Sequence, residues 1–398
     1  AQYQAALEEA RRAEEEGHVP TSAEPDDEPT PPAMGDPEVD TGDPEVALRE
    51  QPPVVESDLD APLYTEDDAK LVMPLFERVR YGVEREVAPG ILATFQDAGH
   101  ILGSAIIRLV IREEKGGRPT TIVFSGDLGR PGTPILRDPT PMRDTDYLVV
   151  ESTYGGREHE PEDEAVRLLA EVVRAVGDAG GVLLIPSFAI GRTQEIVWEL
   201  DRLIERGEIP QIPLYLDSPM ASHASDIYRR HPEFYDEETA KLLASGNSPL
   251  DYPNQTVTRS ADDSKAIERA PRPYMIVASN GMLTGGRVVA HLRNLIDDPA
   301  ATILFVGYQG EGTLGAHLQA GAKTVRLDGA VRQVRCRVRS ISGFSAHADE
   351  SELLDWIKRF TAGRRPGDPG VPRRVFLVHG DPDAQLAIAP KVAALGLE

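Results

Sequence analysis

Three features of the sequence predict an α/β fold assembled from two parts. Closely spaced apolar stretches open the globular region, and they predict neighbouring strands of one β-rich layer at 84–87, 91–95, 105–111 and 120–124. Beyond Glu151, apolar strands alternate with helices, which indicates a parallel sheet covered on both faces. The stretch VFLVHGD at 375–381 repeats the strand pattern of the first part. The alternating part is therefore predicted to be an insertion.

The elements follow in order from local signals. Thr65 is the expected N-cap of a short helix whose packed face carries Ala69, Leu71, Val72 and Leu75. In the alternating part, the pattern predicts strands at 182–185, 214–216, 275–278 and 303–306, and helices at 191–206, 225–230 and 286–296. A helix at 351–360 precedes the last strand.

The first 60 residues differ in composition from the rest. Of the net charge of −24, residues 1–60 carry −15, from 18 Asp or Glu against three Arg. Residues 1–16 resemble a charged helix, and 17–60 are rich in Pro, Asp and Glu, which predicts a solvated insertion. An acidic docking segment for a basic partner is the alternative. The sequence begins with Ala1 and not with methionine, so we expect a chain cut at its N-terminus.

Composition also bears on the compartment and on partners. Phosphate groups are bound by Lys and Arg, so a net charge of −24 argues at first against a nucleic-acid partner. Most of this negative charge, however, lies in the acidic head, residues 1–60. The single cysteine, Cys336, excludes an intramolecular disulfide and fits a reducing, cytoplasmic compartment. No apolar run reaches the length of a membrane span, so no membrane partner is predicted.

Polar residues follow several of the predicted strands at their carboxyl ends. They are His100, Asp127, Glu151 and His379, with Gly99, Gly126 and Gly380 beside three of them. Ligand groups of open α/β sheets lie at the carboxyl ends of strands, so these residues are expected to converge on one crevice. Imidazole and carboxylate oxygen are a usual zinc set, and the two oxygens of Asp127 allow it to bridge two ions. A capping Asp and buried, hydrogen-bonded histidines are the alternative for any one residue alone.

The stretch SGFSAHADESELLDW places His347 where a loop enters a helix. With hydroxyls from Ser342 and Ser345 nearby, this histidine is suited to holding a phosphate and to protonating a leaving oxygen. A capping loop in which Ser345 and Asp349 satisfy backbone donors is the alternative, and both can hold at once. The remaining histidines are predicted to be surface or structural: His18, His159, His223, His231, His291 and His317.

These motifs together resemble one family. GDLGRPG, ESTYG, LIPSFAIGRTQE, LDSPMA, ASNGMLTGGR, FVGYQGEGTLG, SGFSAHAD and LVHGD are similar, in this order, to the RNA-processing nucleases with a metallo-β-lactamase fold and a β-CASP insertion. The resemblance implies an incomplete αββα sandwich in two segments, 61–155 and 343–398, around a β-CASP domain at 156–342. The later segment would carry the RNA-specificity motifs.

The resemblance also implies roles for single residues. His100 would bind one zinc ion, Asp127 would bridge two, and His379 would bind the other. Glu151 and His347 would be catalytic, with His347 the proton donor, and a histidine at 379 is typical of the RNA-directed branch. Loops at strand ends would line an RNA channel, with Ser345, Ser187 and Tyr308 contacting substrate; the other channel residues would be Asp217, Ser279, Asn280 and Gln309. The alternative is that some of these residues are turns that end strands, and that Asp217 only organises its own loop through its backbone.

One family motif is missing from the sequence. HxHxDH, which supplies about half of the zinc ligands in the family, occurs nowhere in the 398 residues. We therefore expect a catalytically incomplete fragment of a zinc-dependent ribonuclease, acting as an endonuclease, a 5′-exonuclease or both. The alternatives are a non-catalytic RNA-binding scaffold and another hydrolase of this fold acting on small esters or thiols. The sequence leaves a homodimer open.

Overall fold

The computed structural model describes residues 64–112, 116–248 and 250–398. The predictions for the acidic head, 1–60, therefore lie outside the described residues. The chain divides into two units, 1–76 and 77–398. In the first, helix α1 (Glu66–Val72) begins at Thr65, which forms the predicted cap, and a 3-10 turn (Met73–Leu75) follows. The packed face predicted for α1 is wrong, because none of its residues is buried.

The second unit begins with a six-stranded sheet. Its strands are β1 (Arg85–Ala88), β2 (Ile91–Asp97), β3 (Ala105–Ile111), β4 (Thr120–Phe124), β5 (Tyr147–Glu151) and β14 (Arg374–Val378), in the order β1-β2-β3-β4-β5-β14. The first four strands pair antiparallel. Strands β4, β5 and β14 are parallel. Their carboxyl ends therefore lie at one edge of the sheet.

One face of this sheet is packed against two helices. Ile106, Val123, Leu148 and Val150 alternate along their strands and contact apolar residues of α9 (Glu350–Lys358) and α10 (Pro382–Ala394). The other face carries a row of directly paired apolar residues, Phe95, Ile107, Phe124, Val149 and Phe376. Phe376 at the end of this row is 48 % exposed.

A second six-stranded sheet is built from the alternating part of the chain. Its strands are β6 (Val182–Pro186), β7 (Leu214–Asp217), β8 (Gln255–Val257), β9 (Tyr274–Ala278), β10 (Ala301–Phe305) and β13 (Arg337–Ser340), in the order β13-β10-β6-β9-β7-β8. Every pair is parallel, as predicted. Alternate residues of β6 lie in two different hydrophobic cores. Leu183 and Ile185 pack into one core, and Val182 and Leu184 pack into the other. The sheet is therefore covered on both faces.

Helices and one hairpin complete the second unit. The helices are α2 (Glu162–Asp178), α3 (Arg192–Glu205), α4 (Pro219–Arg230), α5 (Glu237–Ala244), α6 (Ala261–Ala266), α7 (Arg287–Leu295) and α8 (Leu314–Gln319); β11 (Thr324–Leu327) pairs with β12 (Ala330–Gln333). Helix α2 was not predicted, although its buried Ala165, Leu169, Val173 and Val176 recur at helical spacing. Among the described residues, no helix is long and apolar enough to cross a membrane.

Candidate metal centre and cleft

The first sheet positions the predicted site residues through its strand ends. Asp127 follows β4, Glu151 ends β5, and His379 follows β14, which are adjacent parallel strands. His100 lies in the turn from β2 to β3. Gly126 has φ +57°, and a Cβ there would lie 2.7 Å from the Ala105 carbonyl oxygen, so the turn that presents Asp127 requires glycine.

Asp127 lies between two histidines. Its Oδ2 atom is 3.9 Å from Nε2 of His100, and its Oδ1 atom is 3.6 Å from Nδ1 of His379. Each oxygen of one carboxylate thus faces a different imidazole. One ligand atom from each of His100, Asp127 and His347 lies within 4.8 Å of the others, and the same holds for Glu151, His347 and His379. Two neighbouring groups of metal-ligating atoms therefore share His347.

His100 is in the protonation state that a metal ligand requires. Burial, and then the nearby His347, lower the pKa of His100 to about 4, so its imidazole is neutral at physiological pH. Its Nδ1 atom is buried and has no hydrogen-bond partner among the described residues. The donor set of imidazole and carboxylate groups fits zinc.

Glu151 and His347 form a hydrogen-bonded pair beside Asp127. Glu151 is 1 % exposed, and its Oε2 atom lies 3.1 Å from Nδ1 of His347. Burial alone would raise the pKa of this carboxyl, but hydrogen bonds from His347, the Thr153 hydroxyl and the Leu128 N–H outweigh burial and lower it. Glu151 is therefore an anion that fixes the ring of His347.

Two residues of this site were not predicted. Thr153 donates its hydroxyl to Glu151 Oε2 at 2.7 Å, and the Thr153 hydroxyl oxygen lies 3.0 Å from Nδ1 of His379, so Thr153 links Glu151 to His379. His159, predicted to be surface or structural, is buried, and its Nε2 atom lies 3.0 Å from the His347 carbonyl oxygen. The motif ESTYG contained a usable signal for Thr153, a hydroxyl two residues after a strand-end carboxylate.

These residues open onto a cleft of about 640 Å³. His100, Asp127, His347 and His379 line one side, and loops that follow β6, β9 and β10 line the other. Tyr308 spans the cleft and donates its hydroxyl to Asp381, just beyond His379. Burial, and then the Asp381 carboxylate, raise the pKa of Tyr308 to about 12, so it stays a donor. Among the described residues that line the cleft, Arg192 is the single Lys or Arg.

The predicted channel residues do not all reach this cleft. Ser345 and Tyr308 line it, although Ser345 is only 2 % exposed. Ser187 is buried and accepts a hydrogen bond from Thr193 at 3.1 Å, which corrects its prediction as a substrate contact. Its neighbour Phe188 lines the cleft instead.

For Asp217 the structure favours the alternative of a structural role, although through its side chain and not through its backbone. Asp217 is fully buried, where it accepts hydrogen bonds from Arg287 at 2.7 Å and Ser264 at 2.5 Å and lies 2.6 Å from Nε2 of His291. The polar groups of Asn280 and Gln309 bond to neighbouring loop atoms. Ser279 is half-buried, and its hydroxyl oxygen has no hydrogen-bond partner among the described residues. The residues that line the cleft do not include Asp217, Ser279, Asn280 or Gln309.

Comparison with known proteins places this arrangement in a family. Residues 193–318 match the Beta-Casp domain, and 332–398 match the Zn-dependent metallo-hydrolase RNA specificity domain. Ribonuclease TTHA0252 of Thermus thermophilus is 36 % identical over 340 residues, which are 85 % of this chain and 74 % of that protein. The chain belongs to the β-CASP metallo-β-lactamase family. The predicted family and fold are thereby confirmed.

Other relatives within the β-CASP family are longer. Transcription termination factor FttA of Pyrococcus horikoshii is 35 % identical over 343 residues, covering 83 % of this chain and 50 % of that protein. FttA of Methanosarcina mazei is 33 % identical over 317 residues, or 77 % of this chain and 48 % of that protein. This β-CASP chain thus spans about half the length of the FttA proteins. The match to a Zn-dependent domain supports metal dependence.

Proposed function

We propose that the protein is a zinc-dependent ribonuclease that hydrolyses phosphodiester bonds of RNA in the cleft. The observation that carries the proposal is the position of Asp127, whose two oxygens face His100 and His379 at 3.9 and 3.6 Å. A carboxylate between two imidazoles is suited to joining two divalent ions. Similarity to a ribonuclease and to transcription termination factors supports RNA as the substrate.

The metal would be held by His100, Asp127 and His379. When bound, divalent ions at such a site lower the pKa of a water and offset phosphate charge. Neutral His100 offers a lone pair without first releasing a proton, because its pKa is lowered to about 4. Two zinc ions are proposed because the two oxygens of Asp127 face two different imidazoles, those of His100 and His379.

The chain's own acid–base group is proposed to be His347. The Glu151 carboxylate accepts from Nδ1 of His347, which leaves Nε2 as the ring atom able to meet substrate. His347 lines the cleft next to Asp127. It is therefore placed to donate a proton from Nε2 to the leaving oxygen, while the anionic Glu151 stabilises the charged imidazole.

Asp127→Asn in the full-length protein is the test, measured as bound zinc and as cleavage of single-stranded RNA. The change keeps the side-chain shape but removes the negative charge, so we expect lower zinc content and no cleavage. The matched control is Asp355→Asn, which removes an exposed carboxylate whose one ion-pair partner among the described residues is Lys358.

Two outcomes would contradict the proposal. Unchanged zinc content together with normal cleavage in Asp127→Asn would remove Asp127 from the site. RNA binding without cleavage in the unsubstituted, zinc-loaded protein would favour the alternative of a non-catalytic RNA-binding scaffold.

A further inference from the structure

The far wall of the cleft is apolar and exposed. Phe188, Ile190 and Met220 are 41 %, 43 % and 65 % exposed, and all three line the cleft together with Met282. Large apolar side chains are normally withdrawn from water, and a contiguous exposed group of them beside polar residues is typical of a binding surface. These residues line the same cavity as the metal-ligating residues.

Phe188 is held rigidly within this wall. A Cβ added at Gly281 would lie 3.1 and 3.2 Å from ring atoms Cδ2 and Cε2 of Phe188, so the ring packs on the Gly281 backbone. The Phe188 carbonyl accepts hydrogen bonds from the N–H and the hydroxyl of Thr193, at 3.2 and 2.7 Å. The ring is thus fixed along one side and exposed to the cleft elsewhere.

The loop that carries Phe188 also contacts the metal-ligand loop. A Cβ added at Gly191 would lie 2.7 Å from Cγ2 of Ile101 and 3.9 Å from the His100 carbonyl oxygen. Two residues therefore separate Phe188 from Gly191, where its loop meets Ile101, the residue after His100. A group stacked on Phe188 and a phosphate at the metal centre would occupy the same cleft.

The side chains that line the cleft carry little positive charge of their own. Its described lining carries Asp127 and Asp381 against Arg192, and Arg192 already donates to Glu195 at 2.5 Å. A polyanion would gain little from these side chains, so contacts to its bases have to contribute. Flat aromatic rings stack on nucleobases only when the bases are unpaired, because a duplex covers their faces.

We infer that Phe188 is a stacking platform for an unpaired nucleobase next to the scissile phosphate, and that it is a determinant of specificity for single-stranded RNA. Ile190, Met220 and Met282 would enclose the base at its edges. The inference rests on the proposed function for the identity of the substrate. It concerns how the RNA is bound, and binding is measurable without cleavage.

The test is a thermodynamic cycle between Phe188 and single bases of the RNA. Binding of a short, cleavage-resistant phosphorothioate RNA to the full-length protein is measured by fluorescence anisotropy, with one abasic site moved along the strand. We expect Phe188→Leu to weaken binding roughly 5- to 100-fold. Removing the stacked base should weaken binding to the unsubstituted protein by a similar factor. With the RNA that is abasic at this one position, Phe188→Leu and the unsubstituted protein should then bind equally.

Two further variants separate stacking from a general packing defect. Phe188→Tyr keeps the aromatic face and should bind within about twofold of the unsubstituted protein. Phe376→Leu makes the same change at a half-exposed phenylalanine that does not line the cleft, and should leave binding unchanged. A fully paired form of the same RNA should bind Phe188→Leu and the unsubstituted protein equally.

The inference is overturned if Phe188→Leu binds the RNA normally, or if its loss is the same for every abasic position. Absence of measurable RNA binding by the unsubstituted protein would overturn it as well. The cycle measures binding, and the Asp127→Asn test measures zinc content and cleavage. Failure of the proposed function in the Asp127→Asn test is therefore distinguishable from failure of the stacking proposal.

Discussion

The Oε2 atom of Glu151 lies 3.1 Å from the Nδ1 atom of His347, within hydrogen-bond distance. Glu151 is buried and shielded from water. The hydrogen bond selects the orientation of the ring, because only one of its two nitrogens can then point into the cleft. This relationship distinguishes His347 from His100 and His379, whose nearest carboxylate is Asp127.

Replacing His347 with glutamine should remove a proton donor without removing a metal ligand. We expect RNA cleavage to fall by about 10²- to 10⁴-fold and zinc content to stay unchanged. The measurement is single-turnover cleavage of ordinary RNA and of RNA with sulfur in place of the leaving oxygen. A sulfur leaving group needs no proton, so the loss should be much smaller on that substrate.

His231→Gln is the control, since His231 is exposed and pairs only with Glu233 among the described residues. Equal losses on both substrates would contradict a proton-donor role for His347. Loss of zinc would instead make His347 a metal ligand, a role that its position in both groups of ligand atoms allows.

Asp217 should stabilise the second sheet through its buried network. Burial alone would raise its pKa, but hydrogen bonds from His291, Ser264, Thr258 and Arg287 outweigh burial and lower it. Asp217→Asn removes the charge opposite Arg287, and we expect a loss of about 3–5 kcal/mol in the free energy of unfolding. Urea denaturation measures it.

The pH dependence of the same network has a defined sign. Because the pKa of Asp217 is lowered in the folded chain, its stabilisation is present above the ordinary value of 3.8 and is lost as pH falls below it. Asp217→Asn should therefore show a shallower loss of stability between about pH 5 and pH 2. The control is Asp262→Asn, which removes an exposed carboxylate paired with Lys265. An equal change in the pH dependence of stability for Asp262→Asn would contradict the role of the buried network.

Glu199 on α3 should destabilise the protein at neutral pH. Burial, and then the charges of Glu195 and Glu162, raise its pKa to about 8, from an ordinary value of 4.5. Between these values the folded chain keeps a proton that the unfolded chain releases, so stability falls as pH rises. Glu199→Gln should be more stable than the unsubstituted protein by roughly 2–4 kcal/mol at pH 8, and nearly equal to it at pH 4.

Thermal and urea unfolding across this pH range test the prediction. Glu171→Gln on α2 is the control: it removes a carboxyl that is 49 % exposed and pairs with Arg167, and should change stability by less than about 0.5 kcal/mol. A Glu199→Gln variant that is less stable than the unsubstituted protein at pH 8, and by a smaller margin at pH 4, would show that the carboxyl makes a favourable contact in its charged form.

The sequence alone determined the parallel second sheet and the chain positions of the strand-end residues. Strand and helix periodicity is local, so β3 and β4 were predicted with their observed bounds. The strand-end His100, Asp127 and His379 were likewise visible as a polar residue after an apolar run. Helix α2 was missed although its pattern was present.

Only the tertiary structure decided which side chains face the cleft. Ser187 and Phe188 are adjacent, and local pattern favours the hydroxyl as the substrate contact, but Thr193 binds Ser187 while Gly281 supports the ring of Phe188. Asp217 ends a strand as Glu151 does, yet residues from later in the chain enclose it. Such contacts join residues that are distant in sequence, and a strand-end position fixes the location of a side chain without fixing its partners.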